Sequence, residues 1–479
     1  MSLIYFRLAG FRASNGPILL ATVGIGLYKI SGICLGTLHA LLPTQLVRSL
    51  QDAYALLIKG FGKTGSRAAP GPGATIAGMK PASFAQKLWR FCSDPRVEES
   101  ALIEPMHEAV RQEAARRPGV LLAIHDWSTL SFGGHPSKTD RATLTHATDV
   151  GYDLASVLAV RGDDGAPIAP VAVSLTTGDG VLSTRDDAPG ADVCHIDQVP
   201  GAMQYVRDLD LGATVVHVID READSVNHWR RWAADGHLAL VRGDDRKILH
   251  AGQETTLVEV AERCRQEGAF TVAGPAQYHG REAELFVAET QVVLHRPGKR
   301  NEGKKKLEIP GPPLPLRLVV TEIRDDLGRV LARWLLLTNV PADLADTATI
   351  AKWYYFRWRI ESLHKLLKSS GWQLESWLQR NGERLMVKLL LALGACTSVW
   401  ALERRSDTGS AAFQQLLMQL SGRQTKRSRR ITTSGLLAGL WVIQSALTAV
   451  STHGPEQLNA MLEDHLPLFA TKQRISMQL

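Results

Sequence analysis

The sequence predicts an α/β protein whose mixed five-stranded sheet with helices is interrupted by an inserted β-rich domain and flanked by α-helical regions. Three observations predict this. Short apolar runs typical of strands begin after residue 118, and two of them end at an aspartate, Asp126 and Asp220. Strand candidates are frequent between residues 246 and 334, and helical periodicity dominates afterwards. With 479 residues, the chain is also too long for one compact core.

The order of elements within 118–245 defines the predicted core. Strand candidates cover 119–126, 151–161, 167–176, 213–220 and 237–242, and helix candidates cover 198–209 and 224–235. Three strands joined by turns, followed by alternating helix and strand, is the order of an RNase H-like core. The first and fourth strands of such a core are neighbours. We therefore expect Asp126 and Asp220 to lie close enough to share a metal ion.

The remaining boundaries follow changes in composition. Residues 1–117 are predicted to be a helical N-terminal region with a Gly/Ala/Pro-rich linker near 65–80. The inserted β-rich domain spans 246–334, and the core resumes over 335–395 with a helix that carries Glu361. A helical C-terminal region, 396–479, completes the chain.

The charge of the chain gives only a weak indication of its partner. The net charge of +7 and the isoelectric point near 9.1 are compatible with a polyanionic partner. Basic residues concentrate in two runs, 295–306 and 423–430. Each run could equally be a solvated loop.

Two function classes are disfavoured by composition. The five cysteines are scattered without a CxxC pair, which argues against a zinc site or a disulfide scaffold and fits a reducing compartment. The apolar segment 17–42 is interrupted by Lys29 and His39, so we expect buried helices there and no membrane partner; a membrane or signal segment is the alternative.

Residues 353–368 are predicted to form one helix with a polar stripe. At about 100° per residue, Tyr354, Arg357, Glu361 and Lys368 fall within roughly a 60° sector. Apolar residues occupy the opposite side and would pack against the core. A solvated stripe of mixed charge with intrahelical salt bridges is the alternative.

With these residues placed, the chain resembles the IS4-type transposases. The signature of that family is a Tyr, an Arg, a Glu and a Lys separated by two, three and six residues. Tyr354, Arg357, Glu361 and Lys368 match all four positions. The segments 121–131 and 220–224 are similar to that family as well. The resemblance covers about residues 85 to 400.

The resemblance implies an enzyme that binds the terminal inverted repeats of its own mobile element, cleaves there and joins the 3′-OH ends to target DNA through a hairpin intermediate. Asp126, Asp220 and Glu361 would be the catalytic residues and would hold two Mg²⁺ ions, with Mn²⁺ as a substitute. Two-metal phosphoryl transfer would serve every step.

The resemblance also implies DNA contacts. Tyr354, Arg357 and Lys368 would contact the DNA backbone, and Trp334 would stack on a base flipped out of the duplex. A place in the core is the alternative for Trp334, because apolar residues follow it. His125, beside the first aspartate, and His217 are expected to be packed rather than ligands.

Expected partners are double-stranded DNA, both element ends and target, and a second copy of the chain in the synaptic complex, with the C-terminal helices as the candidate dimer surface. The expected location is the bacterial cytoplasm, associated with the nucleoid. Two alternatives stay open at this stage. One is a structure-specific nuclease on the same core, and the other is a non-catalytic, transposase-derived DNA-binding regulator.

Overall fold

The computed structural model describes residues 41–64, 81–146, 148–186, 195–302, 305–422 and 431–465. The linker at 65–80, the basic run at 423–430 and nearly all of the apolar segment 17–42 lie outside these residues, and so do the expectations that concern them.

The strands of the described residues are numbered in chain order. They are β1 (Val120–Ser131), β2 (Ala142–Thr143), β3 (Val150–Arg161), β4 (Pro167–Thr176), β5 (Val181–Ser183), β6 (Thr214–Ile219), β7 (Leu238–Arg242), β8 (Lys247–His250), β9 (Gln253–Thr256), β10 (Thr271–Tyr278), β11 (Arg281–Leu294), β12 (Gly298–Glu302), β13 (Lys305–Ile309), β14 (Leu314–Arg324) and β15 (Val330–Thr338).

The helices are numbered in the same way. They are α1 (Arg48–Thr64), α2 (Pro81–Phe91), α3 (Glu99–Arg116), α4 (His195–Asp208), α5 (Val226–Ala234), α6 (Leu257–Gln266), α7 (Thr347–Phe356), α8 (Trp358–Lys365), α9 (Gly382–Glu403), α10 (Thr408–Leu420), α11 (Thr433–His453) and α12 (Pro455–His465).

One large mixed sheet organises the protein. Its strand order is β5-β4-β3-β1-β6-β7-β15-β14-β11-β8-β9, with β2 added beside β3 and β10 beside β11. The pairs β1–β6 and β6–β7 are parallel, and the other pairs of the sheet are antiparallel. The α/β class and the mixed sheet agree with the sequence prediction. So does the neighbour relation between β1 and β6, the strands that precede Asp126 and Asp220.

The β-rich stretch 246–334 continues this sheet. Leu337 of β15 pairs with Val241 of β7, and β14, β11, β8 and β9 follow outward from β15. The pairing satisfies the backbone hydrogen-bonding groups of β7, which would otherwise form an exposed edge. The described strands of this stretch other than β12 and β13 belong to the same sheet as the core, and its boundaries as an inserted domain stay a prediction.

The sheet is covered on both faces. On one face, α3 and α9 pack against β4, and the apolar side chains of α9 are almost all buried. On the other face, α4, α5 and α6 contribute a second cluster around Trp229 and Trp232, both fully buried. Burial on both faces explains why the central strands are nearly continuous apolar runs.

Two described helices are long and apolar enough to cross a membrane by length and composition, α9 and α11. The most apolar stretch of α9 is 89% buried inside the protein, and that of α11 is 33% buried. α9 is therefore a helix of the protein core, and α11 is more exposed.

The predicted helix 353–368 is broken in two places. α7 begins after Asp346, whose side chain accepts a hydrogen bond from the Thr349 N–H, and it ends at Phe356. At Arg357 the backbone makes tighter bonds three residues apart, and α8 follows. The last turn, Leu366–Ser370, is a π-helix. Each departure changes the angular position of the residues after it, so the ideal-helix stripe is not preserved along its length.

Candidate active site

Asp126 and Asp220 lie where the parallel pairing of β1 with β6 ends. β1 and β6 pair up to His125 and Ile219, so each aspartate is the next residue beyond the last pair. β1 then continues to Ser131, where it pairs with β3 only. The sequence prediction ended this strand at Asp126; in the structure the aspartate lies within the strand, at the point where its parallel neighbour stops.

The guanidinium of Arg357 lies among the side chains of Asp126, Asp220 and Glu361. Its Nη1 is 3.9 Å from Oδ2 of Asp126, its Nη2 is 3.5 Å from Oδ2 of Asp220, and Nη2 also donates a hydrogen bond to Oε1 of Glu361. Arg357 is only 6% exposed. The three predicted catalytic carboxylates therefore converge on one buried cation.

Tyr354 fixes the orientation of Asp220. Its hydroxyl donates to Oδ1 of Asp220 at 2.9 Å, and the backbone N–H of Arg221 donates to the same oxygen at 2.7 Å. Burial alone would raise the pKa of Asp220, but the charge of Arg357 and these hydrogen bonds outweigh it and lower the pKa. Burial and the negative charge of Asp220 raise the pKa of Tyr354, which keeps the phenol protonated as a donor.

Asp126 behaves in the opposite way. Burial raises its pKa to about 6, against the lowering effect of Arg357 and of the Trp127 N–H, and Glu361 and Asp220 add to the rise. Two carboxylates of one cluster thus have pKa values shifted in opposite directions by their surroundings. Such a divergence is characteristic of functional sites.

Glu361 is the most accessible of the three carboxylates, with 53% of its side chain exposed against 20% for Asp126 and 31% for Asp220. It projects from α8, whose residues Ile360 and Leu363 are buried in the core. The predicted division of this helix into a packed face and a polar face is therefore present over α8.

The three carboxylates have the chemistry that hard divalent cations require, since Mg²⁺ prefers oxygen ligands, carboxylates above all. Within the described ranges, no group of three or more His, Cys, Asp or Glu side chains is already arranged around a metal position. At this site the Arg357 guanidinium lies among the three carboxylates. The donor set fits a metal centre on the condition that the guanidinium moves aside.

Lys368 does not continue the polar stripe. It follows the start of the π-helical turn, and its Nζ donates to the carbonyl of Thr129 at 2.5 Å and lies 3.3 Å from Glu375. Lys368 therefore ties the end of the glutamate-bearing segment to the extended part of β1. Tyr354 and Arg357 also direct their polar groups to carboxylates. The polar groups of Tyr354, Arg357 and Lys368 thus bond within the protein in this structure, and their contacts with a DNA backbone stay a prediction.

Trp334 is a core residue here. It lies on β15, is 6% exposed, and packs edge-to-face on Tyr354 with ring centroids 5.1 Å apart. The ring is enclosed here, as the core alternative describes, and its stacking on an extruded base stays a prediction. Trp358 is partly exposed and packs with Tyr278 and Tyr355.

His125 and His217 are packed, as predicted. Both are buried, and Nε2 of His125 lies 2.9 Å from Nδ1 of His217, within hydrogen-bond distance. Burial lowers the pKa of His125 to about 3, so the ring is neutral.

A neighbouring group of side chains was not found from the sequence. His195 stacks on Trp127, and its nitrogens face Asp153 and Glu222. His364 is buried, with Nδ1 3.7 Å from Oδ2 of Asp126. Two members of this group could have been found from the sequence by their closeness to the predicted aspartates. Trp127 follows Asp126 directly, and Glu222 is two residues beyond Asp220.

Comparisons with known proteins do not show which family the chain belongs to. No family model matches the chain, and no curated protein sequence matches it. Among solved structures, a similar chain comes from a synaptic complex of the piggyBac transposase with hairpin DNA. The alignment has 10% sequence identity and a TM-score of 0.34, and it covers 89% of this chain and 78% of that chain. At this identity and TM-score we draw no argument from the likeness.

Proposed function

We propose that this protein is a DNA transposase of the IS4 type, which cleaves DNA at the ends of a mobile element and joins the 3′-OH ends to target DNA. The observation that carries the proposal is the convergence of Asp126, Asp220 and Glu361 on one guanidinium. These are the three carboxylates that the family's chemistry requires, and they come from two strand ends and a helix far apart in the sequence.

The strand order around the site supports an RNase H-like core. β4, β3, β1, β6 and β7 are consecutive in the sheet, with the first three antiparallel and the last three parallel. This is the arrangement expected when three strands joined by turns are followed by two crossover strands. β1, which contains Asp126, is thus the neighbour of β6, which Asp220 follows, and this supports the proposal.

Asp126, Asp220 and Glu361 would together hold two Mg²⁺ or Mn²⁺ ions. When bound, such ions supply Lewis-acid activation of the attacking oxygen and stabilise the charge on the leaving 3′ oxygen. The chain's own residues prepare this site. Tyr354 holds Asp220 by its hydrogen bond, and the raised pKa of Asp126, about 6, means that this carboxyl loses its proton at a higher pH than an ordinary aspartate.

Arg357 has two roles in this proposal. In the metal-free protein it offsets the repulsion among three carboxylates that share a partly buried space. Once it leaves them, its planar fork of N–H donors becomes free for a DNA phosphate, where two parallel hydrogen bonds can form. The predicted phosphate contact of Arg357 would therefore belong to the DNA-bound state.

Partner contacts complete the proposal. The two-stranded ribbon β12–β13 falls in the basic run and would add salt-dependent contacts to duplex DNA. Exposed apolar side chains on α11, Leu447 and Val450, support the C-terminal helices as the surface for a second copy in the synaptic complex. The protein would act in the bacterial cytoplasm, on nucleoid DNA.

The test uses the full-length protein with a supercoiled plasmid that carries the terminal repeats flanking its gene. In Mg²⁺ the proposal predicts cleavage at the repeat ends, a hairpin on the released fragment, and joining of precut ends to a second plasmid. Cleavage of branched DNA without joining would support a structure-specific nuclease instead. End binding without any cleavage would support a non-catalytic regulator.

A further inference from the structure

His195 is the centre of a charged cluster beside the proposed metal site. It is the first residue of α4, and its ring lies parallel to that of Trp127, with centroids 4.9 Å apart and planes 8° apart. Nε2 bonds to Oδ2 of Asp153, and Nδ1 lies 3.5 Å from Oε2 of Glu222. Each nitrogen of the ring thus faces a carboxylate.

Two facing carboxylates favour the doubly protonated ring. Burial alone would lower the pKa of His195, but the hydrogen bond and charge of Asp153, with those of Glu222, outweigh burial and raise the pKa. The residue is therefore an imidazolium over a wider pH range than a free histidine. About a third of its side chain, 37%, is exposed.

The two carboxylates hold the ring unequally. Asp153 is 16% exposed and its contact with Nε2 is short, so this bond fixes the ring. Glu222 is 70% exposed and its contact with Nδ1 is long, so this carboxylate can be displaced at little cost. Another anion could therefore replace Glu222 as the acceptor of the hydrogen bond from Nδ1–H of His195.

The position of the cluster indicates which anion that is. Trp127, on which the ring rests, follows Asp126, and Glu222 lies two residues beyond Asp220. His195 is thereby fixed to the chain segments that carry two of the three proposed metal ligands. A DNA strand with its scissile phosphate at those carboxylates would bring an adjacent phosphate toward the exposed edge of the ring.

We propose that His195 is a phosphate-binding residue, whose Nδ1–H exchanges the Glu222 carboxylate for a phosphate oxygen of the DNA strand next to the cleaved bond. This rests on the proposed function. Trp127 and Asp153 position the ring, and Glu222 occupies the donor while DNA is absent. The exchange is a change of hydrogen-bond partner, without covalent chemistry.

The experiment measures DNA binding against salt by fluorescence anisotropy, in EDTA, with a labelled duplex that carries the terminal repeats. His195→Gln should reduce the slope of log K against log salt by about 1, the loss of one phosphate contact. His195→Lys should retain the wild-type slope, because it keeps a cation. His228→Gln is the matched control, since His228 also bonds an aspartate, Asp197, at 2.9 Å, but on α5. A wild-type slope in His195→Gln would overturn the proposal.

A second variant guards against misfolding of His195→Gln. Glu222→Gln leaves the bond between His195 and Asp153 in place and frees Nδ1, so it should tighten duplex binding. Asp244→Asn, which removes an exposed carboxylate paired with Arg221 at 3.2 Å, should tighten it less. Equal or smaller tightening in Glu222→Gln would overturn the proposal. Failure of the wild-type protein to bind the duplex would remove the proposed function as well, whereas an active wild type with these negative results removes only this inference.

Discussion

The Tyr354 hydroxyl donates a hydrogen bond of 2.9 Å to Oδ1 of Asp220, joining helix α7 to the end of β6 across 134 positions of the chain. Asp220 is thereby held with its other oxygen, Oδ2, 3.5 Å from Arg357. In this structure Tyr354 and Arg357, two residues of the motif that predicts DNA contacts, hold a carboxylate in place.

The first prediction concerns the three carboxylates. Asp126→Ala, Asp220→Ala and Glu361→Ala should each abolish Mg²⁺-dependent cleavage of repeat-bearing DNA, because each removes a proposed ligand, while repeat binding in EDTA changes little. Gel assays of nicking and mobility shift measure both. Asp244→Asn serves as a surface-carboxylate control and should remain active. Nicking by any purified single alanine variant would break the assignment.

The second prediction concerns Arg357. Its guanidinium competes with divalent cations for the same oxygens, so Arg357→Ala should bind Mn²⁺ more tightly than the wild type in calorimetric titrations, by about tenfold, or about 1.4 kcal/mol. Arg242→Ala is the control, since Arg242 also approaches a carboxylate of the site, Asp220, at 3.9 Å. Unchanged or weaker Mn²⁺ binding in Arg357→Ala would show that the arginine organises the site rather than competes for it.

The third prediction separates packing from base stacking at Trp334. Because this ring is buried, Trp334→Ala should lower the free energy of unfolding by about 3–5 kcal/mol. Trp358→Ala, at a partly exposed position, should cost less. Denaturant unfolding measures both. Full stability of Trp334→Ala together with loss of hairpin formation would restore the base-stacking role.

The fourth prediction follows from the raised pKa of Asp126. A carboxyl whose pKa is about 6 in the folded protein, above its ordinary value near 4, destabilises the metal-free protein when ionised, and this cost is fully present above pH 6. Asp126→Asn should therefore be more stable than the wild type in EDTA at pH 8, by about 2–3 kcal/mol, and the difference should shrink as the pH falls from 6 toward 4.

Asp220 provides the comparison for this effect. Its pKa is lowered, so its ionised form stabilises the fold and Asp220→Asn should be less stable than the wild type at pH 8. Thermal melts of both variants across pH test the pair. The same sign for the two variants would contradict the opposite shifts.

Part of this structure was predictable from the sequence. Apolar runs marked the core strands within a few residues. Their order predicted β1 and β6 as neighbours, and Asp126 and Asp220 lie just beyond the last residues that these two strands pair. The buried face of α8 followed from helical spacing. These features depend on local pattern and on a small number of allowed topologies.

Other features depend on tertiary contacts that no local pattern records. The polar residues of 353–368 would form one continuous stripe on an ideal helix. The turn at Arg357 and the π-helix after Lys365 change the directions of their side chains. Arg357 faces the carboxylates because the fold brings Asp126 and Asp220 opposite it. Trp334 is buried because β15 joins the core sheet beside β7, a pairing between strands almost a hundred residues apart.

The central claim is that Asp126, Asp220 and Glu361 share divalent metal ions, and anomalous scattering from crystals of the protein grown with repeat DNA and Mn²⁺ tests it most directly. The account predicts anomalous peaks coordinated by these three carboxylates, with the Arg357 guanidinium turned away from them. Mn²⁺ bound elsewhere, with Arg357 still among the carboxylates, would contradict it.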